Sequence, residues 1–376
     1  MRRVLIVGGL AASLLNFRAP VIKALCQRGC RVFVAAPGPF SAELSSSLAA
    51  LGAEIRPIRM ARALVNPLAD LCTLFDLIRL MRDIRPDALL AYTAKPVIYS
   101  GYAVRFARVA VRCGWITGVG FGFTEGESRG RAVVRYMLRL LYRSALRRYQ
   151  TVLFQNSADA QLFRSLALIP AACRVEITAG SGVDTETFSS VGLPESPVFL
   201  MAARLLKDKG VYEYVTAAQK VRRQYPQATF LLAGEPDQNP SSVSSGQLAE
   251  WSRSGAVEYL GWVDDIRVPM ARARVYVLPS YREGMPRSVL EAMAMGRPVI
   301  STHAPGCRDA VEDRRTGLLV PVADSEALAE AMIRLIENPP LAEAMGQAGR
   351  QRAVDRFDAS TVGEHVARLL IDPGPA

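Results

Sequence analysis

The chain has 376 residues, a length that at roughly 150 residues per domain points to about two domains. Half of its residues are hydrophobic and 22% are charged, a balance that excludes disordered and fibrous classes. The 46 basic against 35 acidic residues leave a formal charge of +11, which suggests anionic partners such as nucleic acid, phosphorylated metabolites or an acidic membrane face. Only five of the cations are lysines (Lys23, Lys95, Lys207, Lys209 and Lys220), and only His303 and His365 are histidines. A multi-histidine metal site is therefore out of reach, and a Ser-His-Asp triad is poorly supported. The six cysteines show no metal-site spacing and read as thiols of a reducing compartment.

Met-Arg-Arg leads straight into an apolar strand over 4–7, too short for a signal-peptide core, and no run approaches the roughly 20 apolar residues that span a bilayer. The expectation is a cytoplasmic protein, soluble or held on the inner face of a membrane.

Short Val/Ile/Leu-rich runs then alternate with helical spacing, the pattern of parallel strands covered on both faces. Strands are expected over 4–7, 31–36, 54–59, 87–92, 110–116, 151–155 and 175–177. A second series covers 198–203, 229–233, 257–260, 275–278, 299–301 and 317–320. Between the series lie Gly180-Ser-Gly-Val-Asp184 and a Pro/Gly segment over 189–197, the composition of a hinge. The reading is α/β, with two doubly wound domains: 1–185, and 186–376 ending in a helix over 358–371. Ligands of open parallel sheets sit beyond the carboxyl ends of strands, so chemistry is expected in a cleft between the domains.

Gly8-Gly9 follow the first strand, before a helix expected near Asn16. They are either a phosphate-approaching turn or a tight packing turn, since neither GxGxxG nor a P-loop is present. Gly118-Val-Gly120-Phe-Gly122 is a second glycine cluster, a flexible rim or a simple turn. Thr93 and Lys95 stand at the end of the fourth strand, where Lys95 contacts an acceptor phosphate or is a surface lysine. Along 131–147, Arg131, Arg135, Arg139, Arg143 and Arg147 recur every fourth residue beside an apolar face. That stripe either meets anionic lipid or is a solvated face. Trp115, Trp251 and Trp262 read as core or rim.

The second half is more informative. Arg204, Lys207 and Lys209 follow its first strand, where cations either neutralise a diphosphate or form a solvated basic loop. Glu283 lies in the loop after the strand ending near Ser280, and Glu291 lies in the next helix. Gly284 frees the backbone at that helix N-terminus, where the dipole favours an anion.

Arg204 and Lys209 together with the E-x7-E pair Glu283 and Glu291 resemble family 4 of the retaining, nucleotide-sugar-dependent glycosyltransferases. Tyr92-Thr-Ala-Lys95-Pro96, Pro236-Asp-Gln-Asn239-Pro240 and Pro305-Gly306-Cys307-Arg308 resemble more narrowly the subgroup that builds bacterial surface polysaccharides and lipid-linked oligosaccharides. The resemblance spans essentially the whole chain and implies the GT-B fold, two Rossmann-like domains facing a central cleft. It assigns Arg204 and Lys209 to the donor diphosphate, Glu291 to the ribose hydroxyls, and Glu283 to the donor sugar. Gly284 and Met285 would offer N–H groups to the phosphates. It implies a nucleoside-diphosphate sugar as donor, a polyprenyl-diphosphate-linked or polysaccharide acceptor, and no metal or other cofactor, in keeping with the lack of a D-x-D motif.

The sequence departs from the family in one place: the histidine many members carry after the fifth strand is missing, and Ile116-Thr-Gly118 stands there. An epimerase or hydrolase of the same fold and a silent partner subunit remain as alternatives. Nucleic-acid binding lacks a recognisable motif.

Overall fold

The structure is a computed structural model, and it describes residues 1–61, 67–119, 129–237, 239 and 241–372. These residues form two compact units, one made of 1–182 with 359–376 and the other of 183–358.

The first unit opens with β1 (Arg3–Val7), α1 (Ala11–Gln27), β2 (Arg31–Pro37), α2 (Ala42–Ala50), β3 (Ala53–Ile58), α3 (Pro67–Ile84) and β4 (Ala88–Tyr92). It continues through α4 (Ala94–Ala103), β5 (Val111–Ile116), α5 (Arg129–Leu146), β6 (Thr151–Phe154), α6 (Ser157–Ser165) and β7 (Arg174–Ile177). All pairings are parallel, in the order β3-β2-β1-β4-β5-β6-β7. β1 is registered on both neighbours, with Val4 opposite Val32 and Ala88. A strand hydrogen-bonded on both edges and covered on both faces has no polar side to show. That is why Val4, Leu5, Ile6 and Val7 are all fully buried.

The second unit runs β8 (Val198–Ala202), α7 (Val211–Gln224), β9 (Thr229–Ala233), α8 (Ser245–Arg253), β10 (Glu258–Gly261), α9 (Arg267–Arg272) and β11 (Val275–Leu278). Then come α10 (Arg287–Ala294), β12 (Val299–Thr302), α11 (Cys307–Ala310), β13 (Gly317–Val320), α12 (Ser325–Glu337) and α13 (Pro339–Phe357). Its parallel sheet has the order β10-β9-β8-β11-β12-β13. Each sheet reverses its direction of growth once, between β1 and β4 in the first unit and between β8 and β11 in the second. At such a reversal the two flanking connections lead to opposite faces of the sheet, which leaves a natural ligand crevice.

The final helix, α14 (Ala359–Ile371), belongs to the first unit rather than to the 186–376 domain expected from sequence. Its apolar face explains this. Val362, Val366, Leu369 and Leu370 join Leu14, Val21, Ile22 and Leu25 of α1 in one core cluster. Gly363 lies so close to Pro20 that a Cβ there would fall 2.7 Å from the Pro20 carbonyl oxygen. Arg28 and Glu364 close the contact at 2.6 Å. The boundary expected at 185 falls at 182, where Val183 bridges to Asp358.

A second correction concerns α1, which begins at Ala11 and not near Asn16. Leu10, in extended backbone and with no side-chain cap, precedes it.

Candidate active site

In the second unit, the reversal point brings together the loops that follow β8 and β11. The loop after β8 carries Arg204 and then a short helical turn over Lys207–Lys209, closed by Gly210 in the left-handed region at φ +77°. Only glycine fits there, since a Cβ would lie 2.1 Å from the Pro279 carbonyl oxygen. This close approach lays the β8 loop against the β11 loop, and Tyr281 completes the join. Its backbone N–H donates to the Asp208 carbonyl at 2.8 Å, and its hydroxyl donates to Glu213 of α7 at 2.7 Å.

Lys209 Nζ then meets Glu283 Oε1 at 2.5 Å, with both side chains mostly buried. Glu283 is pinned from behind by its own N–H, which donates to the Pro305 carbonyl at 3.0 Å. Gly306, at φ +80°, packs so tightly that a Cβ would sit 2.5 Å from the Glu283 carbonyl oxygen. Burial raises the Cys307 thiol to about 11, and the nearby Glu283 charge adds to the rise. This thiol is therefore packing material and not a nucleophile.

Glu291 lies in α10 with Arg287 one turn before it, the Arg287 Nε donating to Glu291 Oε1 at 2.8 Å. Burial raises the Glu291 pKa, and Arg287 offsets part of that rise. Glu291 and Ser288 line a cavity of about 400 Å³ together with Arg204, Asp237, Trp262 and Ile266. The exposed Arg204 lies 3.4 Å from Asp237. Gly234 forms part of the cavity wall, where a Cβ would lie 1.9 Å from the Ala203 carbonyl oxygen. Tyr276 connects this cavity to the ion pair. Its hydroxyl donates to the Ala202 carbonyl at 2.9 Å, and burial raises its pKa, with the charges of Glu291 and Glu283 adding to the rise. Gly284 and Met285 lie half-buried between Glu283 and the start of α10. The arrangement sets the Lys209–Glu283 pair near a cavity lined by Arg204 and the mostly buried Glu291 carboxylate.

In the first unit the reversal point gathers Gly8, Gly9, Thr93 and Lys95. A Cβ on Gly8 would lie 2.2 Å from the Tyr92 hydroxyl, and one on Gly9 would lie 3.1 Å from Thr93 Oγ1. Both glycines therefore let β1 close on β4, which supports the packing-turn alternative. Thr93 stands at the N-terminus of α4 with φ +67°, an unusual value for a β-branched residue. Lys95 is a buried lysine and not a surface one. Its ammonium is 2.7 Å from Asp70 Oδ1 of α3, and it is thus committed to an internal ion pair.

Several residues escaped the sequence reading. Asp70 is 25 positions from Lys95, and no local pattern links them. Arg287 had no assigned role, although its i,i+4 spacing to Glu291 is the usual helix-pair spacing. Arg18 is fully buried, stacked 3.8 Å from the Trp115 ring and 4.3 Å from that of Tyr92. Its signal was an arginine on the apolar face of α1. Trp115 and Trp251 are buried, while Trp262 is an exposed rim residue. Arg143 of α5 and Arg147 just after it are exposed, but Arg135 and Arg139 of α5 are half-buried, so the regular stripe is broken. Gly120, Gly122 and the side chain of Arg131 lie outside the described residues. No helix among the described residues is long and apolar enough to cross a membrane.

The profile named "Glycosyl transferase 4-like domain" matches residues 18–178, and "Glycosyl transferases group 1" matches residues 196–338, which hold Arg204, Lys209, Glu283 and Glu291. The chain is 28% identical over 372 residues to the N,N'-diacetylbacillosaminyl-diphospho-undecaprenol alpha-1,3-N-acetylgalactosaminyltransferase of Campylobacter jejuni, covering 95% of each chain. Among solved structures, sucrose-phosphate synthase from Thermosynechococcus elongatus superposes with a TM-score of 0.79 at 20% identity over 98% of each chain. HepE from Anabaena, solved in complex with UDP and glucose, superposes with 0.78 at 19% identity, over 99% of this chain and 100% of its own. Both of these likenesses speak for the fold. Between them the two profiles account for most of the sequence, and the chain belongs to the group 1, family 4-like glycosyltransferases, of GT-B fold.

Proposed function

We propose that this glycosyltransferase moves a hexose or N-acetylhexosamine from a nucleoside-diphosphate sugar to a polyprenyl-diphosphate-linked or polysaccharide acceptor in bacterial surface-glycan synthesis, with retention of anomeric configuration. The observation that carries the reading is the buried Lys209–Glu283 pair at the β8/β11 reversal, next to the cavity that ends on Glu291.

The cavity suits a nucleoside: Trp262, Val263 and Ile266 offer an apolar side for the base, and Glu291 offers a carboxylate for the ribose hydroxyls. Transfer breaks the bond between the anomeric carbon and the diphosphate oxygen, so negative charge grows on the leaving group. In this reading Arg204 and Lys209 hold that charge, with the Met285 N–H beside them. In the same reading Glu283 faces the donor sugar, near the positive charge that develops on its ring. Because it is ion-paired to Lys209 it is a weak nucleophile, which favours front-side attack. The acceptor hydroxyl then forms the new C–O bond while its proton passes to the departing phosphate oxygen. With these cations at the leaving group, the transfer is proposed to need no divalent metal.

The acceptor class draws on the printed name of the Campylobacter jejuni relative, which acts on an undecaprenol-diphosphate-linked sugar. The test is incubation with a panel of nucleotide sugars, with and without a polyprenyl-diphosphate-linked sugar and with EDTA. Nucleoside diphosphate released only with acceptor, and equally in EDTA, supports the reading. Equal consumption without acceptor would indicate an epimerase or hydrolase. Loss of release in EDTA would overturn metal independence.

A further inference from the structure

We propose that Asp237 competes with the donor diphosphate for the Arg204 guanidinium and thereby weakens the hold of the site on the nucleoside diphosphate it must release. The swap rests on the reading above that gives Arg204 to the diphosphate.

Both cations given to the diphosphate meet an acid, and the two pairs differ. Lys209 and Glu283 touch at 2.5 Å, with side chains 16% and 14% exposed. Arg204 Nη1 donates to Asp237 Oδ2 at 3.4 Å, with side chains 66% and 32% exposed. Separating a buried pair leaves two charges short of partners in a poorly solvated place. An exposed pair at the long end of hydrogen-bond length contributes little, and water takes over when it opens. Of the two cations, Arg204 is therefore the one free to change partners.

Asp237 is the fixed member of its pair. The loop after β9 is tied by backbone to the loop after β8. Leu205 N–H donates to the Glu235 carbonyl at 3.3 Å, Lys207 N–H to the Ser241 carbonyl at 2.9 Å, and Val243 N–H to the Leu205 carbonyl at 2.8 Å. Asp237 N–H donates to Ser242 Oγ at 2.8 Å. Its Oδ1 accepts the Asn239 N–H at 3.0 Å, a side-chain turn that holds the carboxylate in place. Turning Asp237 away breaks that turn, whereas swinging the long Arg204 side chain breaks only the 3.4 Å contact.

Arg204 and Asp237 line the same cavity as Glu291. A diphosphate offers the guanidinium a charge-assisted, bidentate partner, which outcompetes one loose contact. Asp237 remains behind as a rival acceptor. Any contact that stabilises the unbound arrangement lowers apparent affinity, so the carboxylate makes the nucleoside diphosphate easier to lose after transfer. Asparagine at this position would keep an acceptor for the Asn239 N–H and remove the charge that draws Arg204 back.

The experiment is calorimetric titration of the intact protein with UDP, GDP and ADP, at low and at high salt. For the nucleotide that the wild type binds, Asp237→Asn should lower Kd by about threefold, the scale of a surface ion pair. The two proteins should converge as salt screens the charge. Arg204→Ala should raise Kd on the order of tenfold, the usual loss of a charge-assisted bond, and adding Asp237→Asn to it should bring no gain. Unchanged or weaker binding by Asp237→Asn, or the same gain with Arg204→Ala present, would overturn the swap and leave the donor-site reading standing. Binding by Arg204→Ala as tight as that of the wild type, or no nucleotide bound by the wild type, would overturn that reading and the swap with it.

Discussion

Lys209 Nζ lies 2.5 Å from Glu283 Oε1 although the two residues are 74 positions apart. The contact exists because the loops after β8 and β11 leave the sheet on either side of its reversal point and are pressed together at Gly210. Each partner fixes the other, and in the proposed reading the pair sets the charge at the centre of the donor site.

Glu283→Gln and Lys209→Ala should each lower kcat/KM on the order of a hundredfold, the usual cost of losing an electrostatic contact to a transition state. The double variant should lose much less than the product of the single losses, because residues that act as a unit are not additive. Steady-state kinetics of all three proteins decides this. Fully multiplicative losses would show that the two side chains act separately.

Gly306→Ala should destabilise the protein by about 1–3 kcal/mol and lower activity, because both its φ of +80° and the Glu283 carbonyl 2.5 Å from the added methyl oppose it. Gly192→Ala, where an added Cβ meets nothing within 4 Å, should stay within about 0.5 kcal/mol of wild type. Chemical denaturation of the two proteins gives the comparison. An equal effect at both sites would remove the packing argument for the Glu283 loop.

Thirteen strands were legible as apolar runs, and all thirteen are present within a residue or two of the expected ends. A strand buried on both faces shows no telling period, but Val4–Val7 or Val275–Leu278 is too short for a buried helix, so length decides. Lys209 and Glu283 stood out as candidates because they lie on two short loops after strands, and the structure brings the two together. What failed depended on contacts distant in sequence. α14 reads as a generic amphipathic helix, and nothing in residues 359–371 says that α1 is its partner. Lys95 stood out as a rare lysine at a strand end, but the residue that determines its role, Asp70, lies on another helix. Likewise the arginines of α5 are evenly spaced in sequence, and only packing against α4 shows which of them reach solvent.

Burial raises the Glu291 pKa and Arg287 lowers it. If the charged carboxylate accepts from the ribose hydroxyls, nucleotide affinity should fall as pH drops through a pKa above the ordinary glutamate range. Arg287→Gln removes the lowering influence, so the acid limb should move to higher pH. Calorimetric titration with UDP across pH measures both curves. An unshifted limb in Arg287→Gln would separate Glu291 from nucleotide binding.

Lys95→Met leaves Asp70 as a buried charge without its cation and should cost about 3–5 kcal/mol. Lys95→Met with Asp70→Leu should recover most of that loss, since a buried pair replaced as a whole by apolar groups is often neutral. Thermal melts test the pairing. If Lys95→Met melts normally and instead raises KM for the acceptor, Lys95 is an acceptor contact after all.

The most direct test of the central claim is the anomeric configuration of the product, read by NMR from a reaction of donor sugar with the lipid-linked acceptor. An acceptor-dependent product with the anomeric configuration of the donor, formed on the order of a hundredfold more slowly by Glu283→Gln, is the predicted result. An inverted product, or turnover by Glu283→Gln equal to that of the wild type, would contradict the account.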